Sequence, residues 1–295
     1  MTSPGPGRVL ITGADGQVGL ALQERPPDGW SVIACTGDTL EVTDGGQVRE
    51  VIGRGRPTVV IHAAAYTAVD AAESAADRAA AVNAQGSMHV AEAAREVGAR
   101  VLYLSTDFVF DGAIGRPYTT DDVPNPLGVY GRTKLAGEQA MARILGARAL
   151  VVRTAWVYSR YRTNFVLTML RLMRERDEVG VVADQVGTPT WASSLAEALW
   201  AAAAHPDLHG ILHWTDAGVA SWYDFAVAIQ EEALTLGLLQ RAVPVRPLHT
   251  SEYPSLARRP SYSVLDKGTA PARLGCPTRH WRESLRRMLR GLAPP

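Results

Sequence analysis

Only two cysteines, Cys35 and Cys276, occur in 295 residues. They are too few for a disulfide scaffold and too far apart for a CxxC zinc site, so both read as packing residues of a reduced compartment, the cytoplasm. Charge of one sign is missing too: 30 Lys+Arg balance 30 Asp+Glu. Nothing draws such a chain in bulk to nucleic acid or to an anionic membrane, and any anion must be met by locally placed groups. Long apolar runs are absent. The longest, around Leu195 to Ala204, contains Glu197 and is about half as long as a membrane span. Met1 to Gly7 is Pro/Gly-rich, with no apolar segment of the kind a signal peptide carries, and is expected to be a disordered lead-in. Lysine is the scarcest charged residue: Lys134 and Lys267 are the only two, and arginine supplies the other 28 of 30 basic residues.

What is present is alternation. Arg8 to Thr12 (RVLIT) reads as a strand, followed by a glycine-punctuated turn and a helix over Val18 to Glu24. Strands are expected at Ser31 to Cys35, Thr58 to His62, Val101 to Ser105 and Leu150 to Thr154, with helices at Gly46 to Arg54, Ala75 to Val97 and Val129 to Leu145. Strands that are apolar throughout and alternate with helices predict a parallel sheet covered on both faces, an α/β, Rossmann-like doubly wound fold. After Trp156 the regularity weakens. Helices are expected at Asn164 to Arg176, Ser193 to Ala204, Trp222 to Gly237 and His280 to Arg290, and strands at Glu178 to Val182 and Gly210 to Thr215. From Val243 onward His280 to Arg290 is the one clear helix. Residues 1–155 are thus expected to form a dinucleotide-binding domain and 156–295 a smaller interleaved α/β substrate-binding region, with about 180–215 packing back on the first.

Gly13, Gly16 and Gly19 form GADGQVG at the first strand-helix turn. Glycines there allow close backbone approach, and the helix N-terminus presents free N–H groups to a pyrophosphate. At the end of the second strand, Cys35-Thr36-Gly37 offers no carboxylate to repel a 2′-phosphate, so NADPH and NADH are both admitted. Tyr130 and Lys134 lie four residues apart and share one helix face. A nearby ammonium is expected to lower the phenol pKa toward the working pH. Ser105 and Thr106 stand at the carboxyl end of the preceding strand, where open α/β sheets bind ligands. His205, His209 and His213 recur every four residues, but Pro206 and Gly210 interrupt any helix, so a turn with solvent-facing histidines is expected and no metal site. Trp214, Trp222, Tyr223 and Phe225 read as core packing.

Glycine loop, hydroxyl pair and YxxxK together resemble the extended short-chain dehydrogenase/reductases. More specifically, AAAYTAVDAAE (Ala63 to Glu73), VNAQG (Val82 to Gly86), STDFVFDG (Ser105 to Gly112), VYGRTKLAGEQA (Val129 to Ala140), RTAWVY (Arg153 to Tyr158), ADQVGTPTW (Ala183 to Trp191) and RRPSYSVLD (Arg258 to Asp266) resemble the dTDP-4-dehydrorhamnose reductase family. That resemblance implies NAD(P)H-dependent reduction of the C4 ketone of dTDP-4-dehydro-L-rhamnose to dTDP-L-rhamnose. It implies that Tyr130 gives the proton to the C4 oxygen, that Lys134 binds the nicotinamide ribose and holds the tyrosine pKa down, and that Thr106 hydrogen-bonds the reacting oxygen. Gly16, Gln17 and Val18 would meet the pyrophosphate, with Gly13, Gly19 and Thr36 beside them. Glu41 and Val42 would lie near the adenine, and Ala64, Ala65 and Tyr66 would line the cofactor cleft. Asp107 and Trp156 would contact the sugar, and Val69, Asn164, Gln185 and Arg259 the rest of the nucleotide sugar.

Phe108 stands where the related sugar-nucleotide dehydratases resemble Thr-Asp-Glu, so reduction is favoured over elimination. Ala21 and Ser193 stand where some relatives carry glutamates that bind magnesium between subunits, so a homodimer stays open but a magnesium-bridged one is not expected. Two alternatives remain: a C4 ketoreductase of another dTDP-4-keto-6-deoxy sugar, and a non-catalytic nucleotide-binding subunit resembling the regulatory subunit of methionine adenosyltransferase.

Overall fold

Side chains of β1 (Arg8–Thr12) alternate across the sheet, and this sends Val9 and Ile11 into one buried layer and Leu10 into the other. The computed structural model describes residues 7–293; of the expected lead-in, Met1 to Pro6 lie outside them. β1 is flanked by α1 (Gln17–Glu24), β2 (Ser31–Cys35), α2 (Gly45–Gly55) and β3 (Val59–His62). Then come α3 (Val69–Ser74), α4 (Ala76–Ala80), α5 (Ser87–Glu96), β4 (Arg100–Thr106), α6 (Val129–Leu145) and β5 (Ala149–Thr154). The remainder holds β6 (Val157–Tyr158), α7 (Phe165–Glu175), β7 (Val179–Val182), β8 (Val186–Gly187), β9 (Thr190–Trp191), α8 (Ala192–Ala203), β10 (Gly210–His213), β11 (Ala220–Ser221), α9 (Trp222–Thr235), β12 (Val245–Leu248), α10 (Ala270–Leu274) and α11 (Trp281–Arg290).

Six strands pair in parallel in the order β10-β5-β4-β3-β1-β2. The chain leaves β1 toward one edge to make β2 and returns past it to make β3. The order therefore reverses between β1 and β3, and the crevice beyond their carboxyl ends is where such a sheet binds ligands. One face is covered by α1 and α8 through Leu22, Leu195, Leu199 and Trp200; the other by α2, α5 and α6 through Val48, Ile52, Val90 and Met141. Each fully buried Leu or Ile there contributes about 1.5–3 kcal/mol relative to exposure. A separate apolar core joins α7, α9 and α11 through Met169, Leu170, Phe225, Ile229, Leu285 and Leu289. Within the 180–215 stretch β10 pairs with β5 and α8 packs on α1, whereas β7, β8 and β9 pair with β12, β11 and β6. Among the described residues no helix is long and apolar enough to cross a membrane.

Several local expectations change. The helix expected over Ala75 to Val97 is broken into α4, a π-helical turn at Ala81–Gly86 and α5, with α3 before them. The turn carries Asn83 inward, where its amide accepts from Tyr66 N at 2.8 Å and donates to Thr133 Oγ1 at 3.0 Å; an alanine-rich pattern cannot show this. Beyond Val243 the chain also forms β12, paired in parallel with β7, and the short α10. His213 does not face solvent: it is buried on β10 with Nδ1 at 3.0 Å from the Tyr118 carbonyl, while His205 and His209 are exposed.

Candidate active site

The turn after β1 is tight because Gly13 adopts φ +64° and passes so close to β3's exit that a Cβ would lie 2.7 Å from Ala64 N. A Cβ on Gly19 would lie 2.3 Å from the Gly13 carbonyl oxygen, so α1 seats directly on the loop. Gly16 caps α1 without a side-chain hydrogen bond, which leaves the first N–H groups of the helix for a ligand. Thr12 and His62 tie β1 to β3 below this loop at 2.7 Å. Ser87 donates to Asn83 O and so accepts from His62 Nε2–H, while Ala64 N donates to Thr12 Oγ1. Burial drives the imidazole pKa down to about 3, with the Lys134 charge adding to the effect.

α6 presents Tyr130, Lys134 and Glu138 at intervals of four, one above another, toward the ends of β4 and β5. Its first N–H, on Val129, is satisfied by Glu73 Oε1 at 2.8 Å. Lys134 is 3 % exposed, and its Nζ donates to the Leu104 carbonyl at 2.6 Å, 4.2 Å from the centre of the Tyr103 ring. Below it, Glu138 accepts from Arg153 through Nε at 2.9 Å and Nη2 at 2.7 Å, and from Ser105 Oγ. Arg153 in turn faces His213 Nε2 at 3.5 Å. A buried polar chain thus joins β4, α6, β5 and β10 under the site.

Thr106 ends β4 with its hydroxyl accepting from Phe108 N at 3.2 Å and donating to Asp107 Oδ1 at 3.1 Å. Asp107 is buried, and its Oδ2 has no hydrogen-bond partner among the described residues. Burial raises that carboxyl to about 6. Phe108 packs edge-on against Tyr130, with ring centres 5.6 Å apart. The expectation that Lys134 lowers the Tyr130 pKa is not met. Burial pushes the phenol up to about 12 against a smaller lowering by the Thr106 hydroxyl, and burial also brings Lys134 down to about 7. The ammonium is turned to the Leu104 carbonyl and the Tyr103 ring, and dehydration of the phenol dominates.

All of this opens into one cleft of about 910 Å³. Gly13, Gly16, Gln17, Val18 and Gly19 form one wall, and Glu41 and Val42 lie at the far end. Ala64, Ala65, Tyr66 and Val69 line the side after β3. Thr106, Asp107, Tyr130, Lys134, Trp156, Asn164 and Arg259 line the cleft as well. Two expected residues are not brought there. Thr36 spends its N–H on Thr39 Oγ1 at 2.9 Å, and Gly37 lines the cleft in its place. Gln185 is buried elsewhere and donates to Thr250 Oγ1 at 3.1 Å. Asn164 reaches the wall, but its amide is occupied in capping α7 and holding the carbonyls of Ser159, Tyr161 and Arg162.

Trp222, Arg78 and Arg162 also line the cleft without a signal in a single sequence. Trp222, expected in the core, lines the cleft stacked on Trp156 at 3.5 Å and 5°. Arg78, Arg162 and Arg259 surround the cleft, each paired with a carboxylate: Glu41 at 3.2 Å, Asp15 at 2.9 Å and Asp70 at 2.6 Å. Among the described residues no group of three or more His, Cys, Asp or Glu is arranged to hold a metal ion.

The model of the family described as RmlD substrate binding domain matches residues 7–293. The chain belongs to this family. Among RmlD relatives, it is 44% identical over 283 residues to a dTDP-4-dehydrorhamnose reductase of Streptomyces griseus, covering 94% of this chain and 91% of that one. It is 42% identical over 287 residues to a probable dTDP-4,6-dihydroxy-2-methyloxan-3-one 4-ketoreductase of Streptomyces antibioticus, covering 95% and 93%. A crystal structure of the dTDP-4-dehydrorhamnose reductase of Bacillus anthracis strain Ames in complex with NADP superposes with a TM-score of 0.89 at 38% identity, covering 96% of this chain and 98% of that one. The RmlD fold thus extends through both the glycine-loop half and the half that follows Trp156.

Proposed function

We propose that this chain reduces the C4 ketone of dTDP-4-dehydro-L-rhamnose to dTDP-L-rhamnose with NADPH or NADH, as its closely similar RmlD relatives are named to do. The observation that carries the reading is the convergence of Thr106, Tyr130 and Lys134 with the glycine loop in a single cleft. The cradle made by Gly13 and Gly19, and the uncapped start of α1, fit a dinucleotide pyrophosphate. The bound nicotinamide would supply hydride to C4. Tyr130, protonated throughout the neutral range because its pKa lies near 12, gives its proton to the C4 oxygen as negative charge develops there. Thr106 turns its hydroxyl proton from Asp107 Oδ1 to the same oxygen and orients it. Lys134, held by the Leu104 carbonyl, binds the nicotinamide ribose and offers positive charge behind the phenol. Asp107, Trp156 and Val69 contact the sugar nucleotide, with Arg259 beside them.

Residues 1–155 form the cofactor-binding half in this reading and 156–295 close over the substrate, acting in the cytoplasm. A homodimer is compatible with it. A second reading, reduction of another dTDP-4-keto-6-deoxy sugar, is favoured by the similarity to the Streptomyces antibioticus ketoreductase and by the apolar Phe108 beside the reacting tyrosine. The test is oxidation of NADPH by the purified chain with each candidate sugar, the product identified by NMR. Tyr130→Phe should lower kcat by about 10²–10⁴-fold. Absence of turnover with every 4-keto sugar, or an unimpaired Tyr130→Phe, would sink the proposal.

A further inference from the structure

The segment between β6 and α7 lies against the glycine loop, and its shape is fixed by its own hydrogen bonds and by contacts to α1. Asn164 donates to the carbonyls of Ser159 at 2.7 Å and of Tyr161 and Arg162 at 3.2 Å each. Ser159 Oγ reaches Gln17 Oε1 at 2.9 Å, and Arg160 pairs with Glu24 at 2.5 Å. In this pinned turn Arg162 adopts φ +56°, the left-handed region that glycine enters freely and an ordinary residue only at a cost. Its side chain lines the cleft. Nε donates to the Asp15 carbonyl at 2.7 Å and Nη2 to Asp15 Oδ2 at 2.9 Å, while Nη1 makes no hydrogen bond among the described residues.

Asp15 belongs to the glycine loop itself, one residue before Gly16 caps α1. A carboxylate there opposes any phosphate arriving at the helix N-terminus. A guanidinium has five N–H groups in a planar fork, so it can hold that carboxylate and still bind a second anion.

We propose that Arg162 is a phosphate-binding residue: it neutralises Asp15 and gives its unspent N–H groups to a diphosphate seated on the glycine loop. The inference rests on the function proposed above, which supplies the dinucleotide. A dTDP sugar carries the same chemistry, but the grip of Arg162 on the glycine loop assigns it to the cofactor's diphosphate.

Calorimetric titration of the full chain with NADPH, and separately with dTDP, tests this. Arg162→Gly suits the backbone, so its Tm should not fall below that of the parent. Its Kd for NADPH should rise roughly tenfold, as for the loss of a charge-assisted hydrogen bond, while its Kd for dTDP stays unchanged. The double variant Arg162→Gly/Asp15→Asn should remain weak for NADPH, because removing the repulsion does not restore the contact. Should Arg162→Gly fail to fold, Arg162→Asn, which tolerates the same φ, carries the same expectation. Undiminished NADPH affinity in the variant overturns the inference. So does recovery of parental affinity in the double variant, which would make Arg162 only a counter-ion to Asp15, or a loss confined to dTDP. A parent chain that does not bind NADPH at all would instead remove the function proposed above, and this role with it.

Discussion

Withdrawal of water raises the pKa of both Asp107 and Tyr130. For the acid this has a thermodynamic sign. A carboxyl raised from its ordinary value to about 6 contributes its stabilisation below the unfolded pKa near 3.8, and that contribution is lost as pH rises through 6. Asp107→Asn removes the loss. The variant should be more stable than the parent above pH 6, and this advantage should vanish near pH 4, as read from urea midpoints across that range. Its turnover should fall, since the carboxyl stands beside the reacting phenol.

Among the elements, α6 is held from below by a bidentate Glu138–Arg153 pair whose side chains are 5% and 1% exposed. Removing one partner strands the other charge in the core. Arg153→Ala is therefore expected to cost about 3–5 kcal/mol, measurable by chemical denaturation, whereas a surface pair such as Arg171–Glu175, exposed by more than half, should cost no more than about 0.5 kcal/mol. α6 was also the most legible element, since Tyr130 and Lys134 combine helical spacing with a rare residue type. The central sheet was legible from its apolar runs. β12 was not, because Pro247 within VRPL argues against a strand; it survives since β12 pairs on one side only, with β7. Of the cleft arginines Arg259 was legible through the family resemblance, but Arg78, Arg162 and the carboxylate partners of all three were not. Arg78, Arg162 and Arg259 find acids 37, 147 and 189 residues away in sequence, and no local pattern encodes such partners. Thr36 and Gln185 mark the opposite limit: both were expected at the site, Gln185 within a segment that resembles the family, but the fold turns both to other partners.

For the whole molecule, burial of opposite kinds of groups sets the acid response. His62 and His213 fall to about 3 and about 4, whereas Asp107 and Asp216 rise to about 6. Each imidazole adds stability above pH 6.5 that is lost as pH falls toward its folded pKa, and each acid gains over nearly the same window. Between about pH 4 and 6 the two pairs oppose one another. His213→Gln should break the balance: relative to the parent, its stability should climb as the solution is acidified from pH 6.5 to 4, opposite to the trend in Asp107→Asn. Parallel profiles for parent and variant would show that His213 carries no such load.

The two lysines give the molecule an unusual chemical profile. Lys134 is buried at the cleft wall, and Lys267 is half-buried with Nζ 3.3 Å from Thr215 Oγ1. The described surface therefore carries its positive charge as guanidinium, which amine-directed acylating reagents do not touch. Of the two lysines, graded acylation should modify Lys267 first and Lys134 last, so that loss of activity tracks Lys134, and a ligand filling the cleft should protect it.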